Sequence, residues 1–477
     1  MFIAFLPLLY AVTRARSGWA AAALGWISQT VAWLIMVPWV IRVMSHYGGL
    51  PYVAGVLLFV AMALILGLYG ALFTFLVHRI APRTLPTWLL VPVAWAAVEY
   101  LRTYFLTGFP WNLIATSIID YGPLIQIDRF AGPYFVGALI IVPSAVFAWL
   151  ITSKARGIAA ALAVGATIIV VFVWWGTGLV ASKLVVRSTG TAPEVAALLQ
   201  PNISQEMRWD ADNLLQIFQR MMAMTDRAIA GGARVIIWPE STVPLSYSST
   251  DFYREAIETT SAKHNVDIIL GSVSEDPDNP ARLWNAAFLV SGGRTIGHYD
   301  KIKLVPFGEY VPLRKVLFFA EKLVRAVGEF EFGTNDQPLR GRFAYGPAIC
   351  YEIVFPQIPK RQVNNGADVL VTITNDAWYD GTSAPRQHLD QARLRAIEND
   401  RYLLRAGTTG ISAVIDPSGR IVQELPMGQE GIIFASFHPK TDVTPYVRYG
   451  DWFAWLASAL TIAAVVWRRF SVTLTKP

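Results

Sequence analysis

Long apolar stretches recur along the first part of the chain and once more near its end. A helix needs about 20 apolar residues to cross the hydrocarbon core of a bilayer. Six stretches approach or exceed that length, at 20–43, 52–78, 86–105, 131–152, 158–180 and 451–467. A further stretch at 2–12 is about half as long as a span needs to be. The pattern predicts a multi-pass α-helical membrane domain.

The segment between the last two apolar stretches has a different pattern. Short apolar runs and amphipathic stretches alternate there, separated by turns rich in Gly, Asp and Pro, which is typical of alternating strands and helices. Strands are predicted at 194–200, 234–238, 267–273, 284–290, 344–349 and 369–373, and helices at 209–230, 251–264 and 386–400. Several of these strands are continuously apolar, which favours sheets covered on both faces. We expect an α/β sandwich at 183–448, after a membrane domain at 1–182 and before a final helix and tail at 449–477.

Composition supports this division. The 477 residues are 54% apolar and 16% charged, and the mean hydropathy of +0.41 is too high for an ordinary soluble protein. Charge is concentrated in the later part, because residues 1–180 hold only nine of the 40 Lys and Arg residues and three of the 34 Asp and Glu residues. These numbers exclude a disordered chain, a purely soluble enzyme and a transporter built throughout of spanning helices.

The basic residues of the loops predict the orientation in the membrane. One set of alternate loops carries nine basic residues and no acidic one: Arg14, Arg16, Arg79, Arg83, Lys154, Arg156, Arg468, Arg469 and Lys476. Because cytoplasmic loops are enriched in Lys and Arg, we place this set in the cytoplasm and residues 183–448 on the extracytoplasmic side, which in a bacterium is the periplasmic face of the inner membrane. The net charge of +6 comes mostly from such loops, so nucleic acid is not an expected partner.

Reactive side chains follow several of the predicted strands. Cys350, the only cysteine, ends one apolar run, and Glu240 closes another. Lys301 and Lys303 follow a third, and spacing alone does not choose between them. A thiol, a carboxylate and an ammonium at strand ends can form a nucleophilic site. Each has a commoner structural role when taken singly: a buried hydrophobe, a helix cap and a solvated turn.

The motifs around these residues resemble the nitrilase superfamily. Trp238 to Ser241, Lys301 with 304–312, and Ile349 to Glu352 are similar to its Glu-Lys-Cys signature, in the same order along the chain. Within that superfamily the chain more closely resembles the membrane-integral apolipoprotein N-acyltransferase family, through Thr107 to Trp111, 305–312, Thr374 to Trp378, Gln387 with His388, and 393–398. That family normally has a further spanning helix at its start, which we expect this chain to lack.

The resemblance implies an α-β-β-α sandwich on a membrane platform and an acyl transfer in two steps. A phospholipid gives its sn-1 acyl chain to Cys350, and the thioester then acylates the α-amine of S-diacylglyceryl-cysteine on an apolipoprotein. Glu240 is implied as the base and Lys301, which the family motif selects over Lys303, as the cation that stabilises the oxyanion. A backbone N–H near Tyr351 is a candidate second donor. We expect a monomer with no cofactor, and no metal, since the six histidines lack ligand spacing.

The resemblance also assigns supporting or substrate-binding positions: Trp209, Glu309, Tyr351, Glu352, Asn375 and Trp378. Glu309 resembles a second carboxylate that orients the lysine, and Trp209 a tryptophan near the substrate entrance. Large aromatic residues are usually packing elements, so Trp209 fits a helix start equally well. Asn375 and Trp378 could equally shape the end of a sheet.

Two further segments admit more than one interpretation. Glu99 and Arg102 lie three positions apart on a predicted spanning helix, where they either pair with each other or contact a lipid headgroup. Residues 313–327 have the apolar spacing of a basic amphipathic helix, which lies either at the membrane interface or flat on the sandwich.

Alternative functions make different demands on the chain. A membrane-anchored amidase acting on a small amide would use the same three reactive groups but would need only one anchoring helix. A transporter or receptor would carry paired charges or broken helices within its spans, and beyond Glu99 the spans show almost none. We therefore expect the acyltransferase, with the amidase as the alternative.

Overall fold

The computed structural model describes residues 2–80, 84–153, 157–187, 193–205, 207, 211–243, 246–312 and 329–474. Trp209 and the predicted amphipathic segment at 313–327 lie outside the described residues. The chain forms two compact units. A helical unit comprises Met1–His46, Leu50–Lys183 and Tyr449–Pro477, and an α/β unit comprises Tyr47–Gly49 and Leu184–Arg448.

The helical unit holds most of the helices. They are α1 (Leu6–Arg14), α2 (Gly18–Met36), α3 (Trp39–Arg42), α4 (Tyr52–Ile80), α5 (Leu85–Trp88), α6 (Leu90–Tyr104), α7 (Gly122–Ile125), α8 (Asp128–Ala131), α9 (Pro133–Ser153) and α10 (Ile158–Arg187), with a further helix, Trp452–Leu474, near the end of the chain. Among the described residues, five helices are long and apolar enough to cross a membrane: Gly18–Met36, Tyr52–Ile80, Pro133–Ser153, Ile158–Lys183 and Trp452–Phe470. The predicted multi-pass membrane domain is confirmed.

Two predicted spans differ from the structure at prolines. The stretch predicted at 86–105 forms two helices, α5 and α6, which meet at Leu89. Pro92 accounts for the break, because its ring displaces the carbonyl of the residue four positions earlier. In the same way α2 ends at Met36, two residues before Pro38, so this predicted span is also shorter than its apolar stretch.

Close packing of α2 against α4 depends on small residues. A Cβ atom at Gly25 would lie 2.1 Å from the carbonyl oxygen of Gly70, and a Cβ atom at Gly70 would lie 2.5 Å from the carbonyl oxygen of Gly25. Both distances are shorter than any side chain permits. Glycine at both positions therefore allows the two helix backbones to touch, as is common between helices in membranes.

The described part of the α/β unit contains two sheets of six strands each. The strands are β1 (Glu194–Gln200), β2 (Val235–Ile237), β3 (Asp267–Glu275), β4 (Leu283–Ser291), β5 (Arg294–Asp300), β6 (Leu339–Arg340), β7 (Ala344–Ile349), β8 (Val369–Thr374), β9 (Leu403–Gly407), β10 (Ser412–Ile415), β11 (Ile421–Leu425) and β12 (Gly431–Phe437). Their order is β12-β1-β2-β3-β4-β5 in one sheet and β11-β10-β9-β8-β7-β6 in the other. The two sheets have similar plans: β1 to β3 run parallel, as do β7 to β9, and antiparallel strands flank each trio.

Alternate residues of the strands face two different cores. Leu198, Ile237 and Ile269 pack with Tyr345, Ile349 and Val371 of the other sheet. Their neighbours in sequence, such as Leu199 and Ile236, pack instead with helix residues, including Met221 and Ile257. Helices of this unit are Leu214–Ala230, Asp251–His264, Gln357–Asn364, Ala384–Asn399 and Pro445–Tyr449. Helices cover both sheets, so the predicted α-β-β-α sandwich is confirmed.

Candidate active site

Lys301 is the centre of a buried polar cluster. It follows β5 directly, and its side chain is 1% exposed. The Nζ atom donates to Glu309 Oε1 at 2.9 Å and to Glu240 Oε1 at 3.3 Å. Burial by itself lowers the pKa of an ammonium, but the two carboxylates outweigh burial and raise the pKa of Lys301 well above its ordinary value. Lys301 is therefore a permanent cation held between two carboxylates.

Asn285, which was not predicted from the sequence, completes this cluster. Its Nδ2 atom donates to Glu240 Oε1 at 2.8 Å and to Glu309 Oε1 at 2.9 Å. The position follows from strand pairing, because β4 runs antiparallel to β5 and the Lys301 N–H donates to the Asn285 carbonyl at 2.8 Å. The available signal was a lone amide in an otherwise apolar predicted strand, since a buried polar group needs partners.

Glu240 is placed by the end of β2 and by the close approach of β3. A Cβ atom at Gly271 on β3 would lie 2.6 Å from the Glu240 Cα atom, so only glycine fits there. Ser241 adopts the left-handed conformation at φ 51°, which turns the chain sharply after the carboxylate. Glu240 Oε2 accepts the backbone N–H of Asn375 at 2.8 Å. Both oxygens of Glu240 are thus held by named donors.

Cys350 lies immediately after β7 in a strained turn. Its φ of 50° is in the left-handed region, which is costly for a residue other than glycine. The side chain is buried and interacts electrostatically with both Glu240 and Lys301. Burial raises the pKa of the thiol, Glu240 raises it further, and Lys301 lowers it without restoring the ordinary value. The resting group is therefore a neutral thiol, which needs a base before it can attack.

Glu352 links two segments of the site: the turn that contains Cys350 and the loop that contains Lys301. Its Oε1 atom accepts the Tyr299 hydroxyl at 2.9 Å and the backbone N–H groups of Ile302 at 2.6 Å and Lys303 at 3.1 Å, while Oε2 accepts the N–H of Ile349 at 2.8 Å. Burial raises the pKa of Glu352 to about 7, although the backbone N–H groups act to lower it. Glu352 is fully buried, and its contacts suit a positioning role.

The geometry distinguishes between the two candidate lysines. Lys303 is half-buried, and its Nζ atom lies 5.4 Å from the centre of the Phe355 ring. That arrangement is a cation–π contact. Only Lys301 lies in the cluster with Glu240 and Glu309.

Three of the remaining predicted positions, Asn375, Tyr351 and Trp378, are among the described residues. Asn375 is buried, and its Nδ2 atom donates to Gln205 Oε1 at 2.9 Å. Tyr351 is buried with its ring edge-to-face on Phe355 at 5.1 Å. Trp378 is half-buried and packs on Tyr47, with ring centres 5.1 Å apart.

A second buried cluster, formed by His388, Asp376 and Arg405, contacts the backbone carbonyl of Cys350. No role was predicted for these three residues. His388 Nε2 lies 3.0 Å from the Cys350 carbonyl oxygen, and His388 Nδ1 lies 3.1 Å from Asp376 Oδ1. Arg405 donates from Nη2 to Asp376 Oδ2 at 2.5 Å. Burial raises the pKa of Asp376, but Arg405 and His388 outweigh it and lower the pKa below its ordinary value. Among the described residues, no group of three or more His, Cys, Asp and Glu side chains could hold a metal ion.

Comparisons with known proteins give the family. Residues 1–146 match the family model described as the apolipoprotein N-acyltransferase N-terminal domain, and residues 195–443 match the carbon-nitrogen hydrolase model. A protein from Geobacter metallireducens named apolipoprotein N-acyltransferase is 34% identical over 99% of this chain and 91% of its own length. The chain belongs to the apolipoprotein N-acyltransferase family.

Further relatives agree with this assignment. A protein of the same name from Methylococcus capsulatus is 34% identical over 94% of this chain and 87% of its own length. Among solved structures, an amidase from Nesterenkonia sp. is 20% identical, with a TM-score of 0.40 over 52% of this chain and 91% of that one; this likeness is too weak to support an argument. The apolipoprotein N-acyltransferase match extends through the helical unit as well as the α/β unit.

Proposed function

We propose that this protein transfers the sn-1 acyl chain of a phospholipid, through a thioester on Cys350, to the terminal amine of S-diacylglyceryl-cysteine on an apolipoprotein. The observation that carries the proposal is the match over 99% of the chain to a relative named apolipoprotein N-acyltransferase. An amidase acting on a small polar amide has no need of the five helices, among those that the structure describes, that are long and apolar enough to cross a membrane. A lipid substrate accounts for them.

In the first step Glu240 accepts the thiol proton of Cys350, and the thiolate attacks the sn-1 ester carbonyl. Lys301 stabilises the oxyanion that forms, and the backbone N–H of Tyr351 is the second donor. When the tetrahedral intermediate collapses, the bond to the sn-1 oxygen breaks. That oxygen takes the proton from Glu240, and a lysophospholipid leaves.

In the second step the amine of the diacylglyceryl-cysteine attacks the thioester carbonyl. Glu240 accepts a proton from the amine, and the same two donors stabilise the second oxyanion. The carbon–sulfur bond then breaks, and the thiolate recovers its proton from Glu240. The products are an amide on the apolipoprotein and a free thiol on Cys350.

The other cluster residues act by positioning these groups. Glu309 orients the ammonium of Lys301, since its Oε1 lies 2.9 Å from Nζ and its Oε2 accepts the Val305 N–H at 2.8 Å. Asn285 donates to the carboxylates of both Glu240 and Glu309. Glu352 holds the turn that contains Cys350 against the loop that contains Lys301. The reaction needs no cofactor or metal, and one copy of the chain contains all of these groups.

We further propose that residues 183–448 form a periplasmic catalytic domain, with membrane-embedded segments at 1–182 and 449–477. The excess of Lys and Arg in alternate loops supports this orientation. A reporter that is active only in the cytoplasm should work when fused after Ser153 and remain silent at positions within 193–448. The reverse pattern would invert the proposed topology.

Labelled substrates test the reaction itself. Purified protein receives a phospholipid labelled only in its sn-1 chain and a synthetic peptide that begins with S-diacylglyceryl-cysteine. We expect the label on the peptide amine, an equal amount of lysophospholipid, and neither product with Cys350→Ala. Hydrolysis of small amides without transfer of label to the peptide would support the amidase instead.

A further inference from the structure

We propose that His388 positions the second oxyanion donor of this site, the backbone N–H of Tyr351, by holding the carbonyl group of Cys350. The inference rests on the proposed function, because an oxyanion forms only if the thiol attacks a carbonyl group. It adds His388, with Asp376 and Arg405 behind it, to the residues on which acyl transfer depends. His388 itself does not touch the reacting atoms, so its role is positioning.

The contact between His388 and Cys350 has a defined direction. His388 Nε2 lies 3.0 Å from the Cys350 carbonyl oxygen. A carbonyl oxygen can only accept a hydrogen bond, so Nε2 must carry the proton and donate it. This geometry also argues against His388 as the base for the thiol, because Nε2 is already occupied by the backbone.

The surroundings of the other ring nitrogen keep this donor in place. Nδ1 lies 3.1 Å from Asp376 Oδ1 and 3.1 Å from Arg405 Nη2. A neutral ring accepts from Arg405 through Nδ1, whereas a protonated ring donates from Nδ1 to Asp376. Nε2 remains a donor toward Cys350 in both cases. The hydrogen bond therefore survives a change in the protonation of His388.

Further hydrogen bonds hold the buried side chains of this second cluster in place. His388 is 1% exposed, and Asp376 and Arg405 are fully buried. Asp376 Oδ1 also accepts the Thr374 hydroxyl at 2.9 Å, and Arg405 Nε donates to the Ile411 carbonyl at 3.1 Å. The imidazole thus cannot turn away from Cys350 without breaking buried hydrogen bonds, which is costly.

Peptide geometry carries the effect from His388 to Tyr351. The Cys350 carbonyl and the Tyr351 N–H belong to one planar trans peptide, so they point in opposite directions. A hydrogen bond that fixes the carbonyl oxygen on one side therefore fixes the N–H on the other. The same bond polarises the peptide and makes its N–H a stronger donor. Cys350 needs such a restraint, because its φ of 50° is unfavourable on its own.

Two substitutions at His388 separate this role from general packing. His388→Gln keeps a side-chain N–H that can donate to the Cys350 carbonyl, whereas His388→Leu fills similar space without a donor. Two rates are compared: acylation of Cys350 by phospholipid or by a p-nitrophenyl ester, and alkylation of Cys350 by iodoacetamide. Acylation passes through an oxyanion, but alkylation displaces iodide directly and does not.

We expect His388→Leu to slow acylation by about 10²-fold, the usual loss for one oxyanion donor, and to leave the alkylation rate unchanged. His388→Gln should recover most of the acylation rate. Arg386→Gln is the matched control: this residue lies on the same helix and pairs with Glu424 at the surface, so both rates should equal those of the wild type.

Several results would overturn the inference. Unchanged acylation in His388→Leu would do so, as would equal losses of acylation and alkylation, or a glutamine variant no faster than the leucine variant. If the leucine variant does not fold, His388→Asn replaces it, because its shorter amide cannot reach the carbonyl. Failure of the wild type to take an acyl chain from phospholipid would refute the proposed function, and the p-nitrophenyl ester would still test His388.

Infrared spectroscopy gives a second readout that packing would not change. In a Cys350 thioester made with ¹³C-labelled acyl carbonyl, donors in the oxyanion site lower the carbonyl stretching frequency. We expect the same low frequency in the wild type and His388→Gln, and a higher frequency in His388→Leu or His388→Asn. Identical frequencies in all of these proteins would contradict the role of His388.

Discussion

Both units of the protein contain a buried carboxylate paired with a buried cation. The two sites differ in the groups that form hydrogen bonds to these charged side chains. In the helical unit, Arg102 Nη2 lies 3.5 Å from Glu99 Oε1, and both side chains are buried. In the α/β unit, Lys301 lies between Glu240 and Glu309. The first pair would be taken for a functional site as readily as the second from sequence alone.

The contacts of the pair in the helical unit are mostly with the backbone. Arg102 Nη1 donates to the carbonyl oxygens of Phe109 at 2.6 Å and Trp111 at 2.9 Å, and Glu99 Oε1 accepts the N–H of Ile114 at 2.8 Å. These bonds hold the loop that follows α6. Of the two interpretations open from the sequence, the structure therefore supports pairing within the protein.

In the Lys301 cluster the cation contacts only side chains, Glu240 and Glu309, and it interacts electrostatically with Cys350, the proposed nucleophile. Its carboxylates share Lys301 and Asn285, so a proton can move to Glu240 while Glu309 keeps the ammonium in place. The comparison indicates that a buried charge is a candidate for chemistry when its partners can change protonation, and for structure when they are peptide groups.

Cys350→Ala should lower acyl transfer by at least about 10⁴-fold, because no covalent intermediate can form. Cys350→Ser should be nearly as inactive, since an alkoxide is much harder to generate than a thiolate. Transfer is measured with labelled phospholipid, and circular dichroism checks that the variants fold. Transfer above trace level in Cys350→Ala would rule out covalent catalysis at this position.

Lys301→Met should slow thioester formation by roughly 10² to 10³-fold, because the oxyanion loses its cation. It should also slow alkylation of the thiol by iodoacetamide, because Lys301 lowers the pKa of Cys350. Lys303→Met is the matched control, and only a small loss is expected from it, as Lys303 contacts the Phe355 ring instead. Equal losses in the two variants would remove the special role of Lys301.

The rate of acyl transfer should fall as the pH is lowered through about 7, the pKa to which burial raises Glu352. Protonated Glu352 accepts the backbone N–H groups of Ile302 and Lys303 less strongly than the carboxylate does, so its hold on the Lys301 loop weakens. The stability of the folded state depends on pH in the opposite direction. Because the pKa of Glu352 is higher in the folded state than in the unfolded chain, the folded state binds the proton more tightly. The contribution of Glu352 to the free energy of unfolding therefore decreases as the pH rises through 7.

A pH–rate profile of the wild type and of Glu352→Gln checks this assignment. The variant should be slower at neutral pH and should lack the decrease near pH 7. A profile with the same decrease in both proteins would assign it to another group.

Asn285→Leu should reduce acyl transfer by about 10- to 100-fold, because Glu240 and Glu309 each lose one donor while the lysine remains. Asn285→Asp should be slower still, since a third carboxylate in the cluster repels the other two. Thioester formation on a single turnover is the measurement. A wild-type rate in Asn285→Leu would mean that the other donors, Lys301 and the backbone N–H groups of Val305 and Asn375, hold both carboxylates without Asn285.

Arg102→Met should have the smallest effect on the chemistry. It leaves buried carbonyl groups and Glu99 without their cation, so we expect a loss of stability of about 3 to 5 kcal/mol, measured by thermal unfolding in detergent. The rate of Cys350 acylation per folded molecule, with a detergent-dispersed short-chain ester, should equal that of the wild type. A slower reaction in the folded fraction would make the Glu99–Arg102 pair part of the chemistry.

The strands and site residues that follow apolar runs could be predicted, because a run of buried residues is visible in a single segment. All six predicted strands are present, with ends within two residues of the prediction. No bounds were predicted for the strand before Lys301, β5, because most of its side chains are exposed or half-buried and only Tyr299 is buried. The strand β9 was missed because Arg405 interrupts an otherwise apolar run. Burial of Arg405 depends on Asp376, 29 residues earlier, and no local pattern reveals that pairing.

The residues of the candidate site likewise fall into two groups: those that could be proposed from the sequence and those that only the structure shows. Glu240, Lys301 and Cys350 stand at strand ends within motifs that resemble a known family, so they could be proposed as site residues from the sequence. Asn285 and His388 depend on partners brought together by the sheets: the two ends of the Asn285–Glu240 bond are 45 residues apart, and those of the His388–Cys350 bond 38. Their roles could be inferred only after the strands were paired.

Mass spectrometry of the intact protein after exposure to phospholipid tests the central claim most directly. The wild type should gain the mass of one acyl chain, which peptide mapping should place on Cys350, and Glu240→Gln should gain none in the same time because no base remains to accept the thiol proton. An acyl chain on any other residue, or a Glu240→Gln protein that is acylated as fast as the wild type, would contradict the account.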